Sequence, residues 1–286
     1  TKPTPAGVPR WGAAPGWLLL LLALLPGCSQ APAERAAQAP DKPLRFAFIT
    51  CAVDARFFEP VKQGMRDAAR MLDVECDFLG TPGVDSKAQA EMVRRAVAQG
   101  YDGIAVSLID PVAFDDAVAE AVQGGVPIVA FNVDDHATPN ARLAAVNQQL
   151  HEAGKKLGAH LAQWIPERSS VLITLHDEGV SALEDRRRGI QEALEGKGLT
   201  WTVAVSGNES AAGAEVIAGA LRKDPEISVV IGTGQADTEA AGLAIERHFV
   251  GRGLWSAGFD LSPETLRLIK AGHIRCTIDQ QPYVQG

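Results

Sequence analysis

From residue 44 onward, short apolar runs alternate with amphipathic segments along the chain. The first run is Arg45–Thr50, and it is followed by apolar residues at positions 61, 65, 68 and 72, the spacing of one helix face. Runs that are continuously apolar, rather than alternating with polar residues, are typical of parallel strands buried on both faces. The pattern therefore predicts an α/β protein with helices covering both sides of parallel sheets.

The strand and helix rhythm occurs in two series. The first series predicts strands at 45–50, 74–79, 101–108, 126–131 and 142–146, and the second predicts strands at 170–175, 200–205, 227–232, 254–258 and 274–278. Two series predict two doubly wound parallel-sheet lobes joined by a hinge. We expect an N-terminal lobe over 44–146 and a C-terminal lobe over 147–280. The chain then returns, so that 281–286 continue the first lobe.

The N-terminus has the pattern of an export signal. Lys2 and Arg10 precede nine apolar residues at 17–25, which is fewer than the roughly 20 that span a bilayer. The sequence LPGC at 25–28 resembles the bacterial lipobox and predicts lipid attachment at Cys28; an ordinary signal peptide with an incidental cysteine is the alternative. Residues 1–28 would be the signal, and 29–43, rich in Ala, Pro and Gln, a flexible tether. The expected location is the periplasm or cell envelope, with a lipid anchor in the membrane.

Charge and motif content exclude several classes of function. The 286 residues carry a net charge of -8, which argues against a nucleic-acid partner. Cys51, Cys76 and Cys276 show no CxxC spacing and the six His are scattered, so we predict neither a metal nor a cofactor. No Gly-x-Ser-x-Gly elbow or P-loop occurs, and we predict that the protein is not an enzyme.

Polar and aromatic residues are concentrated just after the predicted strands. They occur at 54–58 and 132–135 in the first series, and at 176–188, 232–237, 259–260 and 279–280 in the second. Ligands of open α/β sheets bind beyond the carboxyl ends of the strands. Carboxylates, amides and Arg can satisfy hydroxyl groups, and aromatic rings can stack on the C–H faces of a sugar. The pattern therefore predicts a site for a polyol.

Several local sequences resemble the ribose-type periplasmic sugar-binding proteins, and the resemblance extends over 45–286. They are Phe57-Phe58 followed by Gly64, VPIVAFN at 126–132, RRRGIQ at 186–191, AGFD at 257–260 and TIDQ at 277–280. The resemblance implies a type I periplasmic-binding-protein fold. It also implies a monomeric receptor that delivers a monosaccharide or sugar alcohol to the membrane permease of an ABC importer. The same fold serving as a periplasmic sensor, for a chemoreceptor or a kinase, is the alternative function.

The resemblance also implies a set of ligand-binding residues, with stacking rings at 57 and 58 and polar contacts from the other positions. The set comprises Phe57, Phe58, Asn132, Asp134, Arg186, Gln235, Asp237, Asp260 and Gln280. Val133, Cys51 and Ala55 depart from the family pattern, so ribose itself is not the expected ligand, and Asp134 is expected to supply a replacement polar group.

Some of these residues also have ordinary structural interpretations. One of the two Phe residues could belong to the lobe core, and at most one of the three consecutive Arg residues should reach the cleft. Asp260 could cap a helix, but Ser262 fits that position better. The family continues with another helix and strand, so we expect C-terminal residues beyond Gly286.

Overall fold

The computed structural model describes residues 42–110, 112–134 and 140–286. The predicted signal, the lipidation at Cys28 and most of the predicted tether lie outside these residues. In the described part of the chain, two separate five-stranded sheets are flanked by helices, and every strand pair is parallel. The predicted α/β class with two doubly wound sheets is confirmed. No helix within the described ranges is long and apolar enough to cross a membrane.

The first sheet and its helices are called the first lobe. Its strands are β1 (Arg45–Thr50), β2 (Glu75–Gly80), β3 (Gly103–Val106), β4 (Ile128–Asn132) and β5 (Ala144–Asn147). Its helices are α1 (Phe58–Leu72), α2 (Ser86–Ala98) and α3 (Asp115–Gln123). The strand order is β2-β1-β3-β4-β5. The chain starts in the middle of the sheet and winds outward in both directions, which leaves a crevice at the carboxyl ends of β1 and β3.

The second sheet and its helices are called the second lobe. Its strands are β6 (Ser170–Leu175), β7 (Thr200–Val205), β8 (Ile227–Gly232), β9 (Trp255–Phe259) and β10 (Ile274–Ile278). Its helices are α4 (Leu150–Leu161), α5 (Ser181–Ala193), α6 (Ser210–Lys223), α7 (Gln235–His248) and α8 (Pro263–Lys270). The strand order β10-β9-β8-β6-β7 again starts inside the sheet and winds outward.

Continuous apolar strands bury side chains on both faces of each sheet. In β1, Ala47 and Ile49 belong to the core beneath α2 and α3, while Phe48 points to the α1 side. There its ring lies 5.4 Å from the ring of Phe131 at a near-perpendicular angle. Full burial of a large apolar side chain such as that of Ile49 stabilises the fold by roughly 1.5–3 kcal/mol.

The last residues of the chain return to the first lobe. Helix α9 (Pro282–Gln285) packs on α1, so closely that a Cβ at Gly64 would lie 2.0 Å from the carbonyl oxygen of Tyr283. The Tyr283 hydroxyl donates to Asp67 at 2.9 Å. The absence of a side chain at Gly64 allows the approach, and the segment after β10 is therefore tied to the first lobe rather than to the second.

Candidate functional site

A cavity of about 550 Å³ lies beyond the carboxyl ends of the strands and is lined by residues of both lobes. Seven of the nine side chains expected in the site line it. They are Phe57, Phe58, Asn132, Arg186, Gln235, Asp260 and Gln280. Residues far apart in the chain meet here because both sheets direct the same ends of their parallel strands to one gap.

Asp260 is the centre of the polar part of the cavity. Its carboxylate accepts from the Gln280 amide at 2.8 Å and lies 3.8 Å from the Arg186 guanidinium. Burial raises the pKa of the Asp260 carboxyl, while the positive charge of Arg186 and the Gln280 hydrogen bond act in the opposite direction. Burial lowers the pKa of the Arg186 guanidinium, and the negative charge of Asp260 acts in the opposite direction. Asp260, Arg186 and Gln280 thus form a preorganised group of donors and acceptors suited to a ligand hydroxyl.

Arg186 is held in place by neutral oxygens and a ring. Its guanidinium donates to the Gln148 side-chain oxygen at 2.8 Å and to the Thr233 carbonyl at 2.8 Å, and it lies 4.2 Å from the centre of the Phe259 ring. The next two residues of α5 point away from the cavity, where they pair with Glu184 and Asp185. A helix turns about 100° per residue, so one of three consecutive Arg residues reaches the cleft.

Several residues at the strand ends have strained backbones. Ala52, Asn132 and Asp260 all line the cavity and have φ values of 46°, 62° and 72°. At Asn132 the following N–H donates to the Phe131 carbonyl at 2.7 Å, which closes a tight turn around the residue. Asn and Asp tolerate this left-handed region better than most residues. Such strain is commonly found at ligand sites, where the surrounding structure holds it in place.

The two adjacent Phe residues differ in their surroundings. Phe58 is buried in the aromatic core of the first lobe, with its ring centre 5.7 Å from that of Phe78. Phe57 is only partly buried and packs edge-on against Phe58 at 5.0 Å. Both rings line the cavity, and Phe57 is the more exposed of the two.

Asp237 and Asp134 do not line the cavity. The fully buried Asp237 carboxylate accepts from the Thr233 and Gly234 N–H groups at 2.6 and 3.0 Å, and it contacts His176 at 3.0 Å. It therefore closes the N-terminus of α7 from inside the lobe. Asp134 forms an ion pair with Arg142, with 2.6 Å between Oδ1 and Nε, and the preceding Val133 lines the cavity instead. Of these two neighbouring side chains, the one that faces the cavity is the valine.

His176 and Glu239 are among the polar lining residues that were not expected as ligands. His176 follows β6 and contacts Asp237, which fixes the ring at the cavity surface. The buried Glu239 carboxylate accepts from Ser210 at 2.8 Å, from Gln235 at 3.3 Å and from Ser262. It thus joins the N-terminal ends of α6, α7 and α8 behind Gln235. The available sequence signal was a single acidic residue on the apolar side of α7.

Another part of the lining is apolar and is contributed by both lobes. We call it the apolar wall, and it consists of Cys51, Ile109, Val133, Leu150, Val180 and Leu183. All six belong to one continuous buried cluster, and the Ser181 N–H of the second lobe donates to the Ile109 carbonyl of the first at 3.4 Å. Burial raises the pKa of the Cys51 thiol to about 11, so the thiol is uncharged at neutral pH.

The described residues contain no cluster of three or more His, Cys, Asp or Glu side chains that could hold a metal.

Comparisons with known proteins agree with this architecture. A family model described as periplasmic binding protein domain matches residues 46–286. A xylose/arabinose-binding protein of Sulfolobus acidocaldarius is 29% identical over 265 residues, covering 87% of this chain; the chain spans 65% of the length of that protein. A ribose import binding protein of Bacillus subtilis is 24% identical over 94% of this chain and 88% of its own length.

Solved structures give the same result. A carbohydrate transporter from Acidothermus cellulolyticus 11B, in complex with myo-inositol, is 31% identical with a TM-score of 0.75, covering 85% of this chain and 83% of its own. A periplasmic sugar-binding protein from Legionella pneumophila, 24% identical, matches with a TM-score of 0.77 over 84% of this chain and 90% of its own. The expected fold is that of these neighbours.

Proposed function

The chain belongs to the periplasmic binding protein domain family, and from this premise we propose that it is a receptor for a neutral monosaccharide or sugar alcohol. The observation that carries the proposal is a polar set formed by the buried Arg186 and Asp260 and the partly buried Gln280, which faces one cavity together with Asn132 and Phe57. Hydroxyl groups can both donate and accept, as this mixed set requires. The acid and base of the set balance each other, which favours an uncharged ligand.

The nine residues expected from the sequence divide into two roles in this proposal. Those that line the cavity contact the ligand, with Phe57 stacking on a C–H face of the ring and the polar side chains holding the hydroxyls. Asp237 and Asp134 act behind them and keep the strand ends in position. Several hydrogen bonds of about 0.5–1.5 kcal/mol each, with stronger charge-assisted ones, suffice for micromolar binding, about -8 kcal/mol.

Ligand contacts from both lobes would favour a closed arrangement of the lobes, because a ligand stabilises the state that it contacts more fully. We propose that the closed protein then docks, as a monomer, on the permease of an ABC importer. Attachment of a lipid to Cys28 would keep it close to that permease. The alternative partner is a sensor that reads the same closed state.

The binding proposal is tested by calorimetric titration with the sugars that its relatives name, together with myo-inositol. The panel contains D-xylose, both enantiomers of arabinose, D-ribose and myo-inositol, with D-allose and common hexoses added. We expect at least one dissociation constant in the micromolar range. Absence of heat for every sugar and polyol, with a protein shown to be folded by its circular dichroism, would contradict the proposal.

Transport and sensing are separated by a second experiment. The permease and ATPase of the proposed ABC importer are placed in vesicles, and ATP hydrolysis is measured with and without the loaded receptor. Transport predicts that the loaded receptor stimulates hydrolysis severalfold. Unchanged hydrolysis with a sugar-loaded receptor would favour the sensor function instead.

A further inference from the structure

The apolar wall carries an inference about the ligand that rests on the proposed sugar-binding function. Its side chains offer one weak hydrogen-bonding group, the Cys51 thiol, and otherwise only hydrocarbon. Two of its backbone N–H groups are already used, since Ile109 donates to the Ser107 carbonyl at 3.1 Å and Val133 donates to the Phe131 carbonyl at 2.7 Å. A ligand hydroxyl placed against this wall would lose its bonds to water and find few replacements.

The wall is continuous with the polar set. Leu183 and Arg186 lie one helical turn apart on α5, both buried, so α5 presents hydrocarbon and guanidinium side by side to the same cavity. A ligand whose hydroxyl bonds to Arg186 therefore lies next to hydrocarbon on the Leu183 side. The cavity volume of about 550 Å³ leaves room for a substituent on that side beyond the sugar ring.

We propose that the preferred ligand is a 6-deoxyhexose, whose exocyclic methyl group packs against the apolar wall while its ring hydroxyls contact the polar set. A hydroxymethyl group in the same place would bury an unpaired hydroxyl. A hydrogen atom, as in a pentose, would leave the wall without a packing partner.

Sugars that share one ring configuration and differ only at this position provide the test. D-Fucose, L-arabinose and D-galactose form one such series, and 6-deoxy-D-glucose, D-xylose and D-glucose form another; L-rhamnose and L-mannose add a pair. In the series that binds, we expect the methyl sugar to bind at least tenfold tighter than the hydroxymethyl sugar. The pentose should lie between them, about fourfold weaker than the methyl sugar.

Equal or tighter binding of the hydroxymethyl sugar or the pentose would overturn the deoxysugar inference and leave the receptor function intact. Failure of every sugar and polyol to bind would overturn both. These two results are distinct, so the inference and the function that it rests on can fail separately.

Two isosteric variants locate the preference on the wall. Val133→Thr and Val180→Thr each replace a methyl group with a hydroxyl at nearly unchanged shape, which should reduce the methyl over hydroxymethyl preference at least threefold. The matched control is Val203→Thr, at an exposed position of β7 outside the cavity, which should leave the preference unchanged. Thermal melting of each ligand-free variant shows that it is folded. An unchanged preference in both wall variants would contradict the assignment.

Discussion

The two lobes build their shares of the cavity in different ways. The second lobe contributes buried charges that hold one another, since Arg186 and Asp260 contact each other and Gln280 donates to Asp260. The buried lining of the first lobe consists of the Phe58 ring, apolar side chains and one amide, that of Asn132, on a strained backbone. One share is positioned by electrostatic contacts and the other by packing and backbone geometry.

This difference indicates in which lobe the folding stability and the ligand binding depend on the same side chains. A buried charge whose partner is removed is left uncompensated in a medium of low dielectric constant, so changes in the second lobe affect folding as well as binding. Changes at Phe57 or Asn132 in the first lobe alter shape and hydrogen bonding but leave no unpaired charge. The four experiments below test this contrast, beginning with the largest expected effect.

Replacing Arg186 by methionine should give the largest loss of stability. The change leaves the buried Asp260 without its positive neighbour, and breaking such a pair costs about 3–5 kcal/mol. Urea unfolding followed by circular dichroism measures the loss. The control is Arg187→Met, one residue along α5, which breaks a partly exposed ion pair with Glu184 and should cost less than about 1 kcal/mol. Equal losses in both variants would show that the buried pair has no special weight.

Replacing Asp260 by asparagine should affect ligand binding more than any change in the first lobe. The variant keeps the shape but loses the charge-assisted hydrogen bonds, worth about 1.5–3 kcal/mol, so affinity should fall about tenfold to a hundredfold. Calorimetry with the tightest sugar measures it. Asp116→Asn, on the exposed face of α3, is the control and should bind as the parent does. An unchanged affinity in the Asp260 variant would remove this carboxylate from the site.

Asn132 allows strain and binding to be separated in the first lobe. Asn132→Ala and Asn132→Gly both remove the amide, so both should weaken sugar binding, by up to about tenfold. Only the alanine variant should also lose stability, by about 1 kcal/mol, because its Cβ disfavours the positive φ of 62°. Parallel calorimetry and urea unfolding give the two values. A stable alanine variant would show that the turn at the end of β4 is not strained.

The experiment with the smallest expected effect measures how readily the Cys51 thiol in the apolar wall reacts. With a pKa raised to about 11, the thiol is about one part in a thousand thiolate at pH 8, and the fraction grows tenfold per pH unit up to the pKa. Alkylation by iodoacetamide, followed by mass spectrometry of the Cys51 peptide, should therefore be slow at pH 8 and accelerate with pH. Bound sugar should slow it further. Rapid modification at pH 8, at the rate of an ordinary exposed thiol, would mean that the wall is open to solvent.

Much of the architecture was predictable from local pattern. Strand and helix positions follow from apolar periodicity, and the Ser262 cap of α8, which accepts from the Thr265 N–H at 2.9 Å, follows from residue type. The capping role of Ser262 leaves Asp260 free to face the cavity, as expected. The site residues were harder to predict. Their position after a strand indicates which loops converge, but it does not indicate which side chains of a loop point into the cavity.

Particular residues illustrate that limit. Gln235 and Asp237 lie two positions apart at the start of α7. Gln235 lines the cavity, whereas the Asp237 carboxylate accepts a hydrogen bond from a backbone N–H at the helix N-terminus. Val133 and Asp134 are adjacent, and the inward one is the apolar residue. Glu239 was not identified, because its three hydrogen-bonding partners come from three separate helix ends.

The amino-acid sequence by itself determined the order of strands and helices, the two doubly wound sheets and the family, because periodicity and residue type act over a few neighbouring positions. Only the tertiary structure decided that Phe57 is accessible while Phe58 is buried, and that Cys51 and Leu183 meet in one apolar wall. The first outcome depends on packing against Phe78 and Phe131, and the second brings together segments more than a hundred residues apart in the chain. A local sequence pattern carries no information about such contacts, because they form only when the separate segments pack together in the folded protein.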